Sequence, residues 1–255
     1  MKNFLKHPLA TNLNLDSQDA PSVHSQIIRS KPFLQKIYHE WYQSILLNLP
    51  DQIGKKILEL GSGGGYLKDF VPDIITSDIQ QNKNVDIILD GRYLPFSASS
   101  LDAIVMVDVF HHLPDVDKFL KESIRCLAEK GRIIMIEPWI TAWSAGIYKH
   151  LHHEPCLPES ERWDFPDTGP LSGANLALPW IVFKRDQNLF LDKYRSLKIK
   201  EIETDWPFVY LLSGGVSMRT LVPERSYPLC RRIERLLSPG MKHLAMFATI
   251  VLEKE

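Results

Sequence analysis

The amino-acid sequence predicts an α/β fold in which a doubly wound parallel sheet carries an aromatic-rich insertion. Short apolar runs rich in β-branched residues recur between residues 56 and 137, with helical patterns between them. A cluster of glycines follows the first run, at 61–65. After residue 138 the alternation stops, and five of the six tryptophans fall between 139 and 206. Alternating strands and helices indicate a sheet covered on both faces, so we expect ligands at the carboxyl ends of its strands.

The composition limits the kind of protein. The chain has 255 residues, 44% of them hydrophobic, enough for one large core with an elaboration. Its formal net charge of -1 argues against a general nucleic-acid binder, which would carry a basic excess. There are three cysteines without a C-x-x-C pair, and no apolar run is long enough for a signal peptide or a membrane-spanning helix. We therefore expect a cytoplasmic protein with no transmembrane segment.

Residues 1–50 form the first predicted unit, an arm and a helix. Residues 1–22 are polar and predict a loose arm. After Pro32, apolar residues recur every three or four positions up to Leu46, which predicts an amphipathic helix that ends near Pro50. We expect its aromatic residues to pack into the core rather than to line a substrate pocket.

Residues 51–137 form the second unit, the alternating strands and helices. Asp115 is placed to cap a helix that carries Phe119 and Leu127, and Gly131 follows the end of that helix. The predicted strands are the apolar runs at 57–60, 74–76, 85–89, 103–107 and 133–136.

The glycine cluster has the pattern of a nucleotide-binding turn. Residues 57–65 are a short apolar strand that contains the acid Glu59, followed by four glycines. Glycine allows positive φ and lets a ligand approach main-chain N–H groups. The NAD-binding fingerprint needs a further glycine at the position of Tyr66, so a dinucleotide is disfavoured. A second acid, Asp78, ends the next strand, where a carboxylate can accept both ribose hydroxyls.

These features resemble motifs I and II of class I S-adenosylmethionine-dependent methyltransferases. The similarity continues through 85–91 and 94–96, like the third strand and the acidic loop around adenine in that family. Residues 101–115 resemble the fourth strand of the type 11 branch, which includes the ubiquinone and menaquinone biosynthesis enzymes. The resemblance implies a Rossmann-like sheet whose last strand, in 244–255, is antiparallel. It also implies S-adenosyl-L-methionine as the cofactor.

The resemblance further implies a set of cofactor-binding residues at the carboxyl ends of the predicted strands. An isolated acid at such a place would be interpreted as a helix cap or a turn residue, but the ordered set favours binding. The expected contacts are with the methionine part, the ribose, the adenine and the methionyl group in turn: Glu59, Gly61, Gly63 and Gly65; Asp78 and Ile79; Asp90 and Gly91; and Asp108.

Histidines supply the candidate bases. His111 and His112 follow the fourth strand, whereas His152 and His153 belong to the run 150–154, which ends in a glutamate. We expect the base to be His153 or His152, since that loop can enter from the acceptor side, with His112 as a further candidate. A metal would also fit three histidines and a glutamate. However, consecutive side chains rarely converge on one ion and no matching ligand pair is evident elsewhere, so we expect none.

Residues 138–243 form the third predicted unit, a cap on the substrate side that includes the sixth strand. The segment up to residue 183 is too aromatic for a disordered linker, so it must fold back onto the sheet. Regular structure resumes with a helix near 184–196 and a strand near 199–205.

The basic segment at residues 219–243, within this cap, has two interpretations. Arg231, Glu234 and Arg235 would lie on one helical face, and we expect a solvated face with i,i+3 and i,i+4 pairs. The alternative is a surface for an anionic substrate or a membrane, with Leu229 and Leu236 on its apolar side.

The expected function is transfer of a methyl group to an oxygen or carbon of a small or medium organic acceptor held under the cap. Two alternatives stay open at this point. One is a non-catalytic accessory module that binds S-adenosylmethionine, and the other is a peripheral-membrane methyltransferase acting on a lipid-linked or glycan acceptor. The expected partner is a small-molecule or lipid-like acceptor and not a nucleic acid. The sequence leaves the oligomeric state open.

Overall fold

The computed structural model describes residues 5–50, 54–83 and 85–255. The first four residues of the predicted arm, residues 51–53 at the start of the predicted second unit, and residue 84 lie outside the described residues.

A seven-stranded sheet forms the centre of the described part of the chain, in the order β3-β2-β1-β4-β5-β7-β6. Strands β1 to β5 are parallel, and β7 is antiparallel to both β5 and β6. The predicted fold class is therefore confirmed. The strand order reverses between β1 and β4, which is where ligands bind in open α/β sheets. The strands are β1 Ile57–Glu59, β2 Ile75–Asp78, β3 Ile87–Ile88, β4 Leu101–Val107, β5 Leu127–Pro138, β6 Leu197–Asp205 and β7 Phe247–Lys254.

Helices cover both faces of the sheet and bury two separate apolar layers against it. One layer contains Phe119 of α3 together with Trp163 and Phe183, and the other contains Trp41 of α2 and Tyr148 of α4. The helices are α1 Ala20–Ser30, α2 Pro32–Asn48, α3 Val116–Cys126, α4 Ala142–Leu151, α5 Leu178–Trp180, α6 Gln187–Lys193, α7 Val209–Ser213, α8 Tyr227–Leu236 and α9 Met241–Leu244. No described helix is long and apolar enough to cross a membrane.

Helices α2 and α3 follow the sequence pattern closely. The apolar stripe of α2 is buried, so its aromatic residues pack into the core as predicted, and one of them, Tyr38, also lies near Asp108. Asp115 caps α3 by accepting a hydrogen bond from the N–H of Lys118 at 2.9 Å, as predicted. The helix ends at Cys126 rather than near Gly131, because its last carbonyl groups accept hydrogen bonds from the N–H groups of residues 99 and 100, directly before β4.

The prediction of a loose N-terminal arm up to residue 22 is wrong. Helix α1 begins at Ala20, and the segment before it is hydrogen-bonded to residues 217–219 of the cap. The N–H of His7 donates to the carbonyl of Ser217 at 3.0 Å, and the carbonyl of Leu5 accepts from the N–H of Arg219 at 2.7 Å.

The cap contains both expected and unexpected elements. Strand β6 lies where the sequence predicts it, and α6 occupies the middle of the predicted helix near 184–196. Helix α4 was not predicted; it begins with a reciprocal capping interaction between Thr141 and Ser144. Most aromatic residues of the cap are buried, as expected for a segment folded back onto the sheet.

The prediction of a solvated face on α8 is wrong for Arg231 and Glu234, which are both buried. Arg231 pairs with Glu40 at 2.8 Å, with Asp205 at 2.7 Å and with Glu234. Glu234 also accepts hydrogen bonds from the N–H groups of Phe208 and Val209, each at 2.8 Å. This buried ionic network joins α8 to α2, to β6 and to the start of α7.

We predict that Arg231→Met destabilises the protein by about 3–5 kcal/mol, because it leaves buried carboxylates without their cation. The matched control is Arg232→Met on the exposed side of the same helix, which should change stability by less than about 0.5 kcal/mol. Urea unfolding of both variants measures the difference. Equal stability of the two variants would show that the network contributes little.

Candidate functional site

The glycine turn leaves the carboxyl end of β1 and touches the loop after β4. Gly61 has a φ of 67°, and a Cβ added there would lie 2.5 Å from a methyl group of Val109, so no larger residue fits. The N–H of Gly63 donates to the Asp78 carboxylate at 3.1 Å, and the N–H of Gly65 closes the turn onto the carbonyl of Ser62 at 2.8 Å. The turn therefore connects the ends of β1, β2 and β4.

Two of the predicted cofactor acids lie side by side at this turn. Burial is the main cause that raises the pKa of Glu59, and the nearby Asp78 adds to it, while a hydrogen bond from the Ser62 hydroxyl at 2.7 Å opposes it; together they bring the pKa to about 7. Burial also raises the pKa of Asp78, although N–H groups of Gln80 and Gly63 donate to it. Both carboxyl groups are therefore poised to gain stabilisation from a ligand that donates hydrogen bonds or carries positive charge.

The remaining predicted adenine and ribose residues have distinct environments. Ile79 exposes 47% of its surface directly after β2. Asp90 is held by Arg92, with 2.7 Å between Nη2 and Oδ2, and Arg92 also pairs with Asp167 at 2.8 Å. Gly91 packs closely against the apolar side chains of Leu60, directly after β1, and of Leu113 and Phe119. Asp90 would therefore have to accept a further hydrogen bond while it remains paired with Arg92.

Asp108 is the last of the predicted cofactor-binding residues along the chain. It has a φ of 56°, in the left-handed region, and its N–H donates to the carbonyl of Ile136 at 2.9 Å. Burial raises its pKa to about 8, and the carboxyl groups of Glu137 and Glu154 add to this while His111 opposes it. This backbone conformation is unfavourable for a non-glycine residue, so the surrounding contacts must hold it in place.

Glu137 holds the loop after β4, and the sequence did not predict this role. It is fully buried at the end of β5 and accepts hydrogen bonds from the N–H groups of Val109 at 2.8 Å and Phe110 at 2.7 Å. It also lies 2.7 Å from Nδ1 of His111. An acid directly after the apolar run of β5 was the available signal.

The two histidine segments predicted as separate candidates meet at Glu154. His111 Nε2 lies 3.4 Å and His112 Nε2 lies 3.7 Å from the Glu154 carboxylate. His152 Nδ1 and His153 Nε2 lie 3.7 Å and 3.6 Å from the same carboxylate. One acidic side chain of the cap thus contacts imidazoles from both sides of the site.

The charges of this cluster differ from residue to residue. Burial alone would lower the pKa of His111, but Glu137 and Glu154 outweigh it and raise that pKa to about 10. Burial lowers the pKa of both His112 and His152 to about 4, so each is neutral at pH 7. Burial would raise the pKa of Glu154, but the adjacent histidines lower it, so this carboxyl is ionised.

Helix α1 lies directly on the glycine turn, which sequence reasoning missed. A Cβ added at Gly64 would lie 2.5 Å from the main-chain N of Ser25 and 2.9 Å from Cβ of His24. Burial lowers the pKa of His24, with His153 adding to the effect, so α1 also reaches the histidine cluster. The N-terminal segment therefore forms one wall of the site.

Aromatic side chains from three helices surround Asp108. Burial raises the pKa values of Tyr38, Tyr148 and Tyr210, and the Asp108 carboxyl contributes to each rise. Trp41 stacks on Tyr210 with ring centroids 5.7 Å apart. The Tyr148 hydroxyl donates to the carbonyl of residue 246, whereas the other two hydroxyls have no hydrogen-bond partner among the described residues.

Comparison with known proteins identifies the class of the domain. Residues 58–135 match the family model described as a methyltransferase domain. The ubiquinone/menaquinone biosynthesis C-methyltransferase UbiE of Rickettsia prowazekii is 26% identical over 127 residues, which are 40% of this chain and 51% of that protein. The chain therefore spans about half the length of this relative.

Solved structures share the fold. A S-adenosylmethionine-dependent methyltransferase from Thermotoga maritima, a possible histamine N-methyltransferase, has a TM-score of 0.53 at 16% identity and covers 86% of this chain and 89% of its own. The geranyl diphosphate C-methyltransferase of Streptomyces coelicolor, solved with Mg²⁺, geranyl diphosphate and S-adenosyl-L-homocysteine, has a TM-score of 0.54 at 12% identity and covers 91% and 83%.

The family match and the sheet order agree with each other. Residues 58–135 form a methyltransferase domain, and the predicted resemblance of the chain to class I S-adenosylmethionine-dependent methyltransferases of type 11 is confirmed. S-adenosyl-L-methionine, the predicted cofactor, is the methyl donor of this class.

We predict that Glu59 makes stability depend on pH. Its pKa is raised from 4.5 to about 7 in the folded protein, so its favourable contribution is complete below pH 4.5 and is lost as pH rises through 7. The difference in unfolding free energy between wild type and Glu59→Gln should fall by about 3 kcal/mol from pH 4.5 to pH 8. Glu129→Gln, on an exposed side chain, is the control. A pH-independent difference for Glu59→Gln would contradict the raised pKa.

Proposed function

We propose that this chain is an enzyme that transfers the methyl group of S-adenosylmethionine to an oxygen or carbon of a small or medium organic acceptor. One observation carries the proposal. The glycine turn at β1 and the Asp108–His111–Glu154 group meet at the point where the strand order reverses. A methyl donor and proton-handling side chains are needed at one place for methyl transfer.

The cofactor would bind along the ends of β1 to β4. Glu59 and the N–H groups of the glycine turn would face its methionine part, and Asp78 would accept the ribose hydroxyls. Ile79 exposes an apolar surface suited to the adenine, and Asp90 and Gly91 would contact the same base. Asp108 would lie near the methionyl group. The raised pKa values of Glu59 and Asp78 support these roles, because each gains from a donor ligand.

The acceptor would lie between the cap and α2, above Asp108. Residues 138–243 supply Tyr148, Tyr210 and Glu154 to this region, which supports their role as a substrate-side cap. Aromatic walls favour an apolar or aromatic acceptor. The name of the Rickettsia relative, a C-methyltransferase, favours carbon as the methylated atom.

The protein's own contribution to the reaction is positioning and proton transfer. The sulfonium of the donor is already a good leaving group, so the site must align the acceptor and remove its proton. His112 and His152 are neutral at pH 7 and can accept a proton, and His153 is the third candidate base. His111, held by Glu137, carries positive charge and can stabilise an acceptor oxygen.

A second candidate function is methylation of a lipid-linked acceptor at a membrane surface. Helix α8 exposes Leu229, Ile233 and Leu236 at successive turns, with Arg232 and Arg235 beside them. An amphipathic helix of this kind suits an anionic lipid surface. Both candidate functions fit our proposal of a cytoplasmic location.

We predict that S-adenosylhomocysteine binds and that NAD does not. Asp78→Ala should weaken cofactor binding by about 1–3 kcal/mol, because the ribose hydroxyls lose a buried acceptor. Asp73→Ala, on an exposed acid in the turn before β2, is the matched control and should leave affinity unchanged. Titration calorimetry measures all three proteins.

The activity itself is tested with S-adenosylmethionine labelled in its methyl group and fractionated cell extract, with and without anionic lipid vesicles. Label should enter an organic acceptor with wild type and much less with Asp78→Ala. Binding of the cofactor without any transfer of label would favour the accessory-module interpretation. Tight NAD binding without S-adenosylhomocysteine binding would refute the proposed cofactor.

A further inference from the structure

Three electron-pair donors converge at the histidine cluster. The Nε2 atoms of His111 and His112 and the carboxylate of Glu154 lie within 4.8 Å of one another. The two histidines come from the short turn after β4, whereas Glu154 comes from the cap, so this matching set is not visible in the sequence. The expectation of no metal was based on a single loop and on the lack of partners elsewhere.

The opposite nitrogen of each imidazole is already engaged. Nδ1 of His111 lies 2.7 Å from the Glu137 carboxylate, and Nδ1 of His112 lies 3.0 Å from the carbonyl of Gly173. Both partners are acceptors, so both Nδ1 atoms carry the proton. In the neutral tautomers the lone pairs of both Nε2 atoms therefore point at a carboxylate, an arrangement that needs a positive charge between them.

The spacing suits a metal ion better than a hydrogen bond. A charge-assisted N–H···O bond measures about 2.7–2.9 Å, whereas Nε2 of His111 and the Glu154 carboxylate are 3.4 Å apart. Two ligands about 2.0–2.1 Å from a tetrahedral zinc ion lie about 3.3 Å from each other. The observed separations of 3.4 Å from His111 and 3.7 Å from His112, which involve the two different oxygens of the Glu154 carboxylate, are close to that edge.

We propose that His111, His112 and Glu154 bind a divalent first-row transition metal such as zinc, with one coordination position open toward the acceptor side. Two imidazoles and one carboxylate are a frequent ligand set for such ions and a poor one for magnesium. Glu137 supports the site by fixing the ring of His111, as carboxylates often do behind metal-binding histidines. Without an ion, a proton on His111 supplies the positive charge.

The neighbouring set of His152, His153 and Glu154 is less suited to the ion. Nδ1 of His152 accepts a hydrogen bond from the N–H of Glu154 at 3.2 Å, so its lone pair is already used. The His153 side chain is half exposed, and His153 lies directly between His152 and Glu154 in the sequence. His111 and His112 are also adjacent in the sequence, but their side chains are only 3% and 10% exposed, and both rings are held through Nδ1.

The test is a calorimetric titration of the full-length, EDTA-treated protein with ZnCl₂, independent of methyl transfer. Wild type should bind one equivalent of zinc, with no comparable binding of Mg²⁺. Glu154→Gln and His112→Gln should each weaken zinc binding by about 100-fold or more, and Glu137→Gln by about 10- to 100-fold. His150→Gln, an exposed histidine on α4, is the matched control and should bind as wild type does.

Circular dichroism of each variant verifies that it is folded. Glu154→Gln and His112→Gln are interpreted separately, so either variant that folds decides the outcome. Zinc binding lost in either ligand variant but kept in His150→Gln supports the site. Absence of zinc binding by wild type overturns it. Zinc binding that survives His112→Gln but is lost in His153→Gln assigns the ion to the other set and also overturns the proposal.

Discussion

The site depends on one buried charge, the carboxylate of Glu137. A charge with no exposure to water must be matched by hydrogen bonds or an opposite charge. Here the matching groups are the N–H groups of Val109 and Phe110 and the imidazole of His111. The loop after β4 therefore has little freedom. Val109 consequently abuts Gly61, which brings the loop against the glycine turn, and His111 faces Glu154.

Glu154 joins the two halves of the site across this loop. The cofactor half of the sheet contributes His111 and His112, and the cap contributes Glu154 together with tyrosines near Asp108. The N-terminal helix closes a third side by packing on Gly64. A buried ionic network around Arg231 fixes the far end of the cap to α2 and β6. The proposed cofactor-binding and catalytic residues therefore belong to one connected set of packed elements.

The parts that the sequence predicted have local causes. Strand periodicity, the glycine turn and the apolar stripe of α2 each follow from neighbouring residues, so the sheet and the places of Glu59 and Asp78 could be predicted. The missed parts depend on distant contacts. Helix α1 has a polar sequence and is held by Gly64, Arg231 is buried only because three acids from separate elements surround it, and Glu154 acquires its role from histidines some forty residues away.

The most direct test of this account is amide hydrogen exchange in wild type and Glu137→Gln. Loss of hydrogen bonds to a charged acceptor should cost about 1.5–3 kcal/mol. The amides of Val109 and Phe110 should then exchange about 10- to 100-fold faster in the variant, while the amide of Ile134 in the centre of β5 stays as slow as in wild type. Unchanged exchange at Val109 and Phe110 would contradict the claim that Glu137 holds the loop on which the site depends.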